Sequence, residues 1–374
     1  MSEIPGSLLR CRSCGRVGAA DAVRWRCECG GLYDMQTRVR PRDLVAAEDT
    51  ANWSLWRYRQ WLPELPVDVA GRATMGEGAT PLVPGDDPDT WFKLEFASPT
   101  GSFKDRGAAV LVAVATTLGA RSLVADSSGN AGTAVAAYAA RMGLPCTVFV
   151  PGGTSDKKLR QMSAHGAEVV AHGTRADAAA AAVAHVDATG SFYASHVYSP
   201  FFFEGTKTYL FEILEQMRRV PDRLVLPVGN GTLVLGVVRA LDELEAAGLI
   251  RNRPELLLVQ AAACAPIADT LASAAPTHTV DRGTIAEGIA IADPPRGPQL
   301  LEIAQRPGTR VVSVHDETIA AAVTWLAGHG LYVEPTAGAA LAGLWEARRS
   351  TWASPDQLTV VPLTGSGLKT FTTQ

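Results

Sequence analysis

The chain is predicted to be an α/β protein of two domains with mainly parallel sheets, and three observations predict it. From about residue 120 onward, short β-branched runs alternate with Ala- and Leu-rich helical stretches. The strand runs are too uniformly apolar to face water, as in parallel sheets covered by helices. The chain also has 374 residues at 47% hydrophobic, enough to bury a large core and to divide into two domains. The expected strands are 122–125, 146–150, 168–171, 192–194, 224–227, 256–260, 310–314 and 358–362. Between them the expected helices are 131–142, 156–165, 175–187, 204–219, 233–247, 317–327 and 338–348, with a further helical run at 108–118. Ligands in such sheets sit beyond the carboxyl ends of strands, where turns lead into helices.

Residues 1–40 differ, being rich in Cys and Arg and short of helical periodicity, and read as an appended module. Four of the six cysteines lie there, and a reducing compartment makes such a cluster metal ligands rather than disulfides. Cys11-x2-Cys14-Gly15 and Cys27-x-Cys29-Gly30-Gly31 resemble a zinc ribbon, with glycines that permit tight knuckle turns. The C-x-C half is tighter than the usual C-x2-C. Two readings follow, a structural zinc on Cys11, Cys14, Cys27 and Cys29, or a metal-free remnant. Four thiolates leave no open position, which argues for structure over catalysis. The seven histidines show no metal-binding spacing. Residues 41–75, rich in Trp, Arg and Pro, read as a connector.

A net charge of −4 and the lack of a basic run argue against a nucleic-acid partner. The first residues, MSEIPGSLLRCRSCG, have neither the basic nor the apolar region of a secretory signal, and no apolar stretch is long enough to span a bilayer. A soluble, cytoplasmic protein without membrane or nucleic-acid partners is the expectation.

Four turns carry candidate chemistry. In SPTGSFKDRG at 98–107, Lys104 sits among small polar residues where a loop opens into a helix. A helix start and a nearby cation such as Arg106 would lower an ammonium pKa and suit a reactive amine; the bland alternative is a solvated first-turn lysine. In DSSGNAG at 126–132, directly after a strand, Ser127, Ser128 and Ala131 leave backbone N–H groups open to a carboxylate, and Asn130 can donate to a ring or carbonyl oxygen. Ser and Asn are equally the usual N-cap residues. In PVGNGT at 227–232, Gly229, Asn230, Gly231 and Thr232 let backbone approach a phosphate at a helix start, without the G-x-G-x-x-G spacing of a dinucleotide site. In LTGSGLK at 363–369, the Thr364 hydroxyl precedes glycines at a strand end, which can reach into a ligand or form a surface turn.

Taken in order, these motifs resemble the fold-type II pyridoxal-phosphate (PLP) enzymes, and among them threonine synthases most closely. GEGATPL at 76–82, EGTKT at 204–208, VQAA at 259–262, EPTA at 334–337 and TGSGLK at 364–369 are similar to segments of that family, so the likeness covers nearly the whole chain. The resemblance implies that Lys104 carries PLP as an imine and shuttles the substrate α-proton. It further implies that Asn130 bonds the cofactor's ring oxygen, that Gly229, Asn230, Gly231 and Thr232 hold its phosphate, and that Thr364 faces the pyridine nitrogen. A neutral hydroxyl there does not enforce a pyridinium, which suits elimination and replacement rather than transamination. The implied domains are a zinc-ribbon-like module at 1–40, a large domain from 41–105 and 205–374, and a small one at 106–204. A homodimer acting on a small amino acid is expected.

The likeness departs at two points. Where familiar members read N-P-x-R-L-E-G, this chain reads YSPFFFEG, with Ser199 for Asn and Phe202 for Arg. Where they read A-I-R-I-G-N-P, it has Ala290 in place of Arg. Bidentate Arg is the natural partner of a substrate phosphate, and Lys158, Arg160, Lys207 or Arg296 would have to compensate. Two enzyme readings follow. One converts O-phosphohomoserine to threonine and phosphate; the other is an ammonia-lyase or β-replacement synthase on a non-phosphorylated amino acid. A non-catalytic PLP-fold protein is a third, opposed by the intact Lys104, Asn130 and Thr364.

Overall fold

The structure, a computed structural model, describes residues 4, 7–36, 41–154, 156–273 and 282–369, without the side chains at 157 and 158. By its contacts the chain divides into two compact units, Met1–Ala79 with Lys104–Thr208, and Thr80–Phe103 with Tyr209–Gln374. The sequence reading places residues 41–79 with the larger domain, whereas the contacts group them with 104–208. Hydrogen bonds tie the segment there: the Tyr138 hydroxyl donates to Glu77 Oε2 at 2.9 Å, and Arg141 Nε donates to the Arg72 carbonyl at 2.9 Å.

In the first unit, strands β1 (Leu8–Cys11), β2 (Val17–Ala19) and β3 (Tyr33–Gln36) form an antiparallel sheet in the order β2-β1-β3. In the second, β4 (Leu82–Pro84) pairs antiparallel with β5 (Thr90–Lys93). The first unit's other sheet contains β6 (Leu123–Ala125), β7 (Cys146–Pro151), β8 (Glu168–His172) and β9 (Phe192–Tyr193), parallel throughout in the order β8-β7-β6-β9. Its core includes Val124, Phe149, Ala178, Ala182, Val186 and Tyr193. Strands β10 (Arg223–Pro227), β11 (Glu255–Ala261), β12 (Thr309–Val314) and β13 (Thr359–Pro362) complete the second unit's sheet, ordered β12-β11-β10-β13-β5-β4. Only the β4–β5 pair in that sheet is antiparallel.

All eight expected strands are present, and the α/β class with mainly parallel sheets holds. Five short strands were not expected, three of them in the Cys-rich module and two at β4 and β5. The expected helix over 204–219 is instead two, Pro200–Thr206 and Thr208–Met217, and the buried Lys207 between them pairs with Glu204 at 2.6 Å. No helix among the described residues is long and apolar enough to cross a membrane.

Candidate active site

Three parallel neighbours in the second unit's sheet, β10, β13 and β5, each deliver one of the singled-out turns at their carboxyl ends. Parallel pairing puts those ends at one sheet edge, so the 229–232 loop, Thr364 and the loop leading to Phe103 leave it together. The last two are laced to each other. Phe103 N donates to the Thr364 carbonyl at 3.1 Å, Ser366 N donates to the Gly101 carbonyl at 2.9 Å, and Lys369 Nζ donates to the Thr100 carbonyl at 2.8 Å.

The 229–232 loop is pressed from behind. A Cβ on Gly229 would lie 2.8 Å from the Gly288 carbonyl oxygen and 2.9 Å from Ile289 Cα, so only glycine fits. Gly231 adopts φ +74° and caps the helix Thr232–Ala246. Gly288 is itself fixed by its N–H donating to Thr336 Oγ1 at 3.0 Å, which gives the EPTA segment a supporting role. Gln260 is likewise structural, its Oε1 accepting from Ile267 N at 3.0 Å and Ala268 N at 3.1 Å. The Thr364 hydroxyl is buried and has no hydrogen-bond partner. Leaving such a group unpaired costs about 1–3 kcal/mol, which a ligand acceptor would recover. This orphaned hydroxyl and the glycine-only loop fit the pyridine nitrogen and the phosphate of PLP.

Lys104 opens the helix Lys104–Thr117 in the first unit, and Asn130 opens Asn130–Met142, which packs against it. Lys104 Nζ stands 5.7 Å from the centroid of the Phe202 ring, which is fully buried. Gly107 makes that possible, since a Cβ there would sit 2.3 Å from Phe202 Cε1. His196 also meets Phe202, with ring centroids 5.9 Å apart at 68°. Burial, with Lys104 and Arg175 nearby, holds this imidazole well below its usual pKa and therefore neutral. The sequence marks Phe202 only as standing where an arginine is expected, and gives no signal for His196; their meeting beside Lys104 depends on packing between distant segments. The buried Arg106, expected as a cation beside Lys104, donates from Nη1 to Thr208 Oγ1 at 3.3 Å.

Ser127 and Ser128 follow β6, and Ser127 Oγ accepts from Gly129 N at 3.3 Å. A Cβ on Gly132 would meet the Ser127 carbonyl oxygen at 1.9 Å, so the loop folds tightly over the helix start, next to the buried Ala131. Asp126 precedes this loop. Its carboxyl lies beside the Tyr193 and Ser195 hydroxyls, yet Oδ1 and the Tyr193 hydroxyl are both buried short of hydrogen-bond geometry. Burial pushes the Asp126 carboxyl up to about 6, against the opposing pull of Tyr193, Ser195 and Arg175. The folded state thus keeps a proton that the unfolded chain releases near pH 3.8, so stability falls as pH rises from there through about 6. Asp126→Asn is expected to remove up to about 3 kcal/mol of this dependence. Denaturation midpoints of both proteins between pH 4 and 7 check it; parallel curves would sink the assignment.

Of the cations considered as substitutes for the absent arginines, Lys207 is buried and paired with Glu204, and Arg296 is buried and donates to Gln299 Oε1 at 3.0 Å. Arg160 is exposed, and the Lys158 side chain lies outside the described residues. Ala290 and Ser199 are buried.

The four cysteines of the N-terminal module come together, with all four Sγ atoms within 4.8 Å of one another. Cys11 and Cys29 are 3.5 Å apart and Cys14 and Cys27 3.7 Å. A tetrahedral zinc with bonds of about 2.3 Å sets its sulfurs about 3.8 Å apart, so the residues fit a structural metal. Burial raises the Cys11 thiol but is outweighed by backbone hydrogen bonds from Cys14 and Ser13 and by the neighbouring thiols, which bring it to about 6.

Residues 73–365 match the family of pyridoxal-phosphate dependent enzymes. The chain is 33% identical to the threonine synthase of Methanocaldococcus jannaschii, covering 97% of this chain and 93% of that protein. It is 33% identical to the threonine synthase of Methanosarcina acetivorans, covering 96% and 92%. Among solved structures it is similar to an L-serine ammonia-lyase from the fungus Rhizomucor miehei, with a TM-score of 0.68, 23% identity and coverage of 77% of this chain and 94% of that one. Maize serine racemase gives a TM-score of 0.67 at 21% identity, covering 81% and 94%, a likeness of fold. The chain is a PLP-dependent lyase, and it belongs to the pyridoxal-phosphate dependent enzyme family on its threonine synthase-like branch.

Proposed function

We propose that this enzyme converts O-phosphohomoserine and water to threonine and inorganic phosphate. The observation that carries the substrate is the likeness to threonine synthases along almost the entire length of both chains. Bound PLP supplies an electron sink next to the substrate α-carbon. Lys104 holds the cofactor through Nζ and moves the α-proton. Asn130 donates to the ring oxygen, while Gly229, Asn230, Gly231 and Thr232 bind the cofactor phosphate. The Thr364 hydroxyl meets the pyridine nitrogen without forcing its protonation, which favours expulsion of a leaving group over transamination. Ser127, Ser128 and the backbone at Ala131 receive the substrate carboxylate. The same reading includes a structural zinc on the four cysteines.

A second reading, β-elimination or replacement on a non-phosphorylated hydroxy amino acid, is favoured by one observation. Phe202 and Ala290, both buried, stand where the resemblance expects arginines. Offering the PLP-loaded protein O-phosphohomoserine, threonine, serine and O-acetylserine separately distinguishes them. Phosphate and threonine in equal amounts are expected from the first. Keto acid and ammonia from serine or threonine, or replacement on O-acetylserine, with no phosphate release, would establish the second. The proposal also places the enzyme in the cytoplasm as a homodimer; a solution mass of 39.4 kDa, that of one chain, would refute the dimer.

A further inference from the structure

The Cys-rich module packs against the two segments that flank Lys104 and the 127–130 loop. Trp25, two residues before Cys27, is half-buried, with its ring 5.1 Å from Tyr193 at 86° and 4.9 Å from Tyr198 at 67°. The Arg26 guanidinium covers it at 4.5 Å. Trp25 and Tyr198 thereby close over the core of the four-stranded sheet. From this seat two routes lead onward within the same unit. Tyr193 lies beside Asp126, the residue that begins the loop to Asn130. Tyr198 immediately precedes Ser199, the N-cap of the helix Pro200–Thr206, whose Phe202 faces Lys104. Strand β3 of the module packs on that same helix.

Such small sheets rarely hold their shape without a cross-link, because their own apolar core is slight. The cysteine cluster is placed to supply one through a metal, and the segment that seats Trp25 runs between its two halves. We propose that a metal on Cys11, Cys14, Cys27 and Cys29 acts as a positioning clamp: it seats Trp25 on Tyr193 and Tyr198, and so holds the 127–130 loop and Phe202 in place around Lys104. Trp25 is a positioning residue in this scheme, since it acts through Tyr193 and Tyr198. The effect on substrate rests on the reading of 127–130 as the carboxylate site. The link from metal to Trp25 does not.

The test uses the full-length, PLP-loaded protein. Metal content is measured first, then again after a chelator and after added Zn²⁺. The emission of Trp25 is isolated as the difference between wild type and Trp25→Phe under each condition. Chelation is expected to shift that difference spectrum to longer wavelength, and Zn²⁺ to restore it. Trp25→Ala is expected to raise KM for the amino-acid substrate about tenfold, the fold-change to which two ordinary aromatic contacts correspond. Its kcat should change less, its visible cofactor band should remain, and Trp25→Phe should behave nearly as wild type. A protein that neither contains nor takes up metal overturns the proposal, as does a difference spectrum indifferent to chelation. So does a Trp25→Ala variant with unaltered KM, or one that loses its cofactor band. Should the carboxylate assignment be at fault instead, the metal-dependent emission would persist while Ser127→Ala left KM unchanged.

Discussion

Lys104→Ala is expected to abolish the visible band that PLP forms with the wild-type protein and to lower turnover by about 10³-fold or more, since a covalent anchor and a proton carrier go together. The fold should survive. Lys104 is the first residue of its helix and only partly buried, and alanine is at least as good a helix former. The expected signature is therefore a melting temperature near that of wild type with no imine absorbance. A variant that still forms the band would remove Lys104 from its assigned role. Loss of the band accompanied by unfolding would leave the role to be decided by Lys104→Arg, which retains charge and most of the stem but cannot form the linkage. An Lys104→Arg protein with the wild-type band would refute it.

The second large effect is expected at Gly229. Its missing side chain lets the loop lie against Gly288 and Ile289, and the opposing atoms are backbone, which cannot rotate away. Gly229→Ala must displace the loop, and charge-assisted hydrogen bonds to a phosphate are sensitive to such movement. Losing two at about 1.5 kcal/mol each corresponds to a weakening of PLP binding of about 10²-fold. Titration of the apoprotein with PLP, followed by the visible band, measures it. Unchanged affinity would mean that the phosphate lies elsewhere. Gly71→Ala serves as a control, because a Cβ at that helical glycine meets nothing within 4 Å.

The strands read from sequence are those whose apolar runs stand between clear turn residues, and each is present. Strand β5 was missed although it carries the loop to Lys104 and lies inside the larger sheet. The run Thr90, Trp91, Phe92, Lys93 ends in a charge, which reads as surface. In the fold Lys93 is fully buried, because it pairs with Glu212 and its Nζ donates to the Thr80 carbonyl. A buried ion pair cannot be recognised from either partner alone, since burying one charge is prohibitive and only the pair makes it tolerable. Glu204 and Lys207 likewise look like a solvated helical pair in the sequence, and the fold buries both.

What the sequence by itself determined was the α/β class, the cofactor chemistry and the candidate residues, Lys104 above all. The class depends on local features, apolar runs between turn residues; the cofactor and the residues assigned to it follow from the ordered resemblance of the motifs to the PLP enzymes. Only the tertiary structure decided which groups meet within each unit. In the first it put the Phe202 ring and a neutral His196 beside Lys104 and seated Trp25 over Tyr193; in the second it left the Thr364 hydroxyl unpartnered at the edge shared by β10, β13 and β5. Those relations join residues far apart in the chain. Their physical basis is close packing and desolvation, which act between neighbours in space and leave no periodicity in the sequence to read.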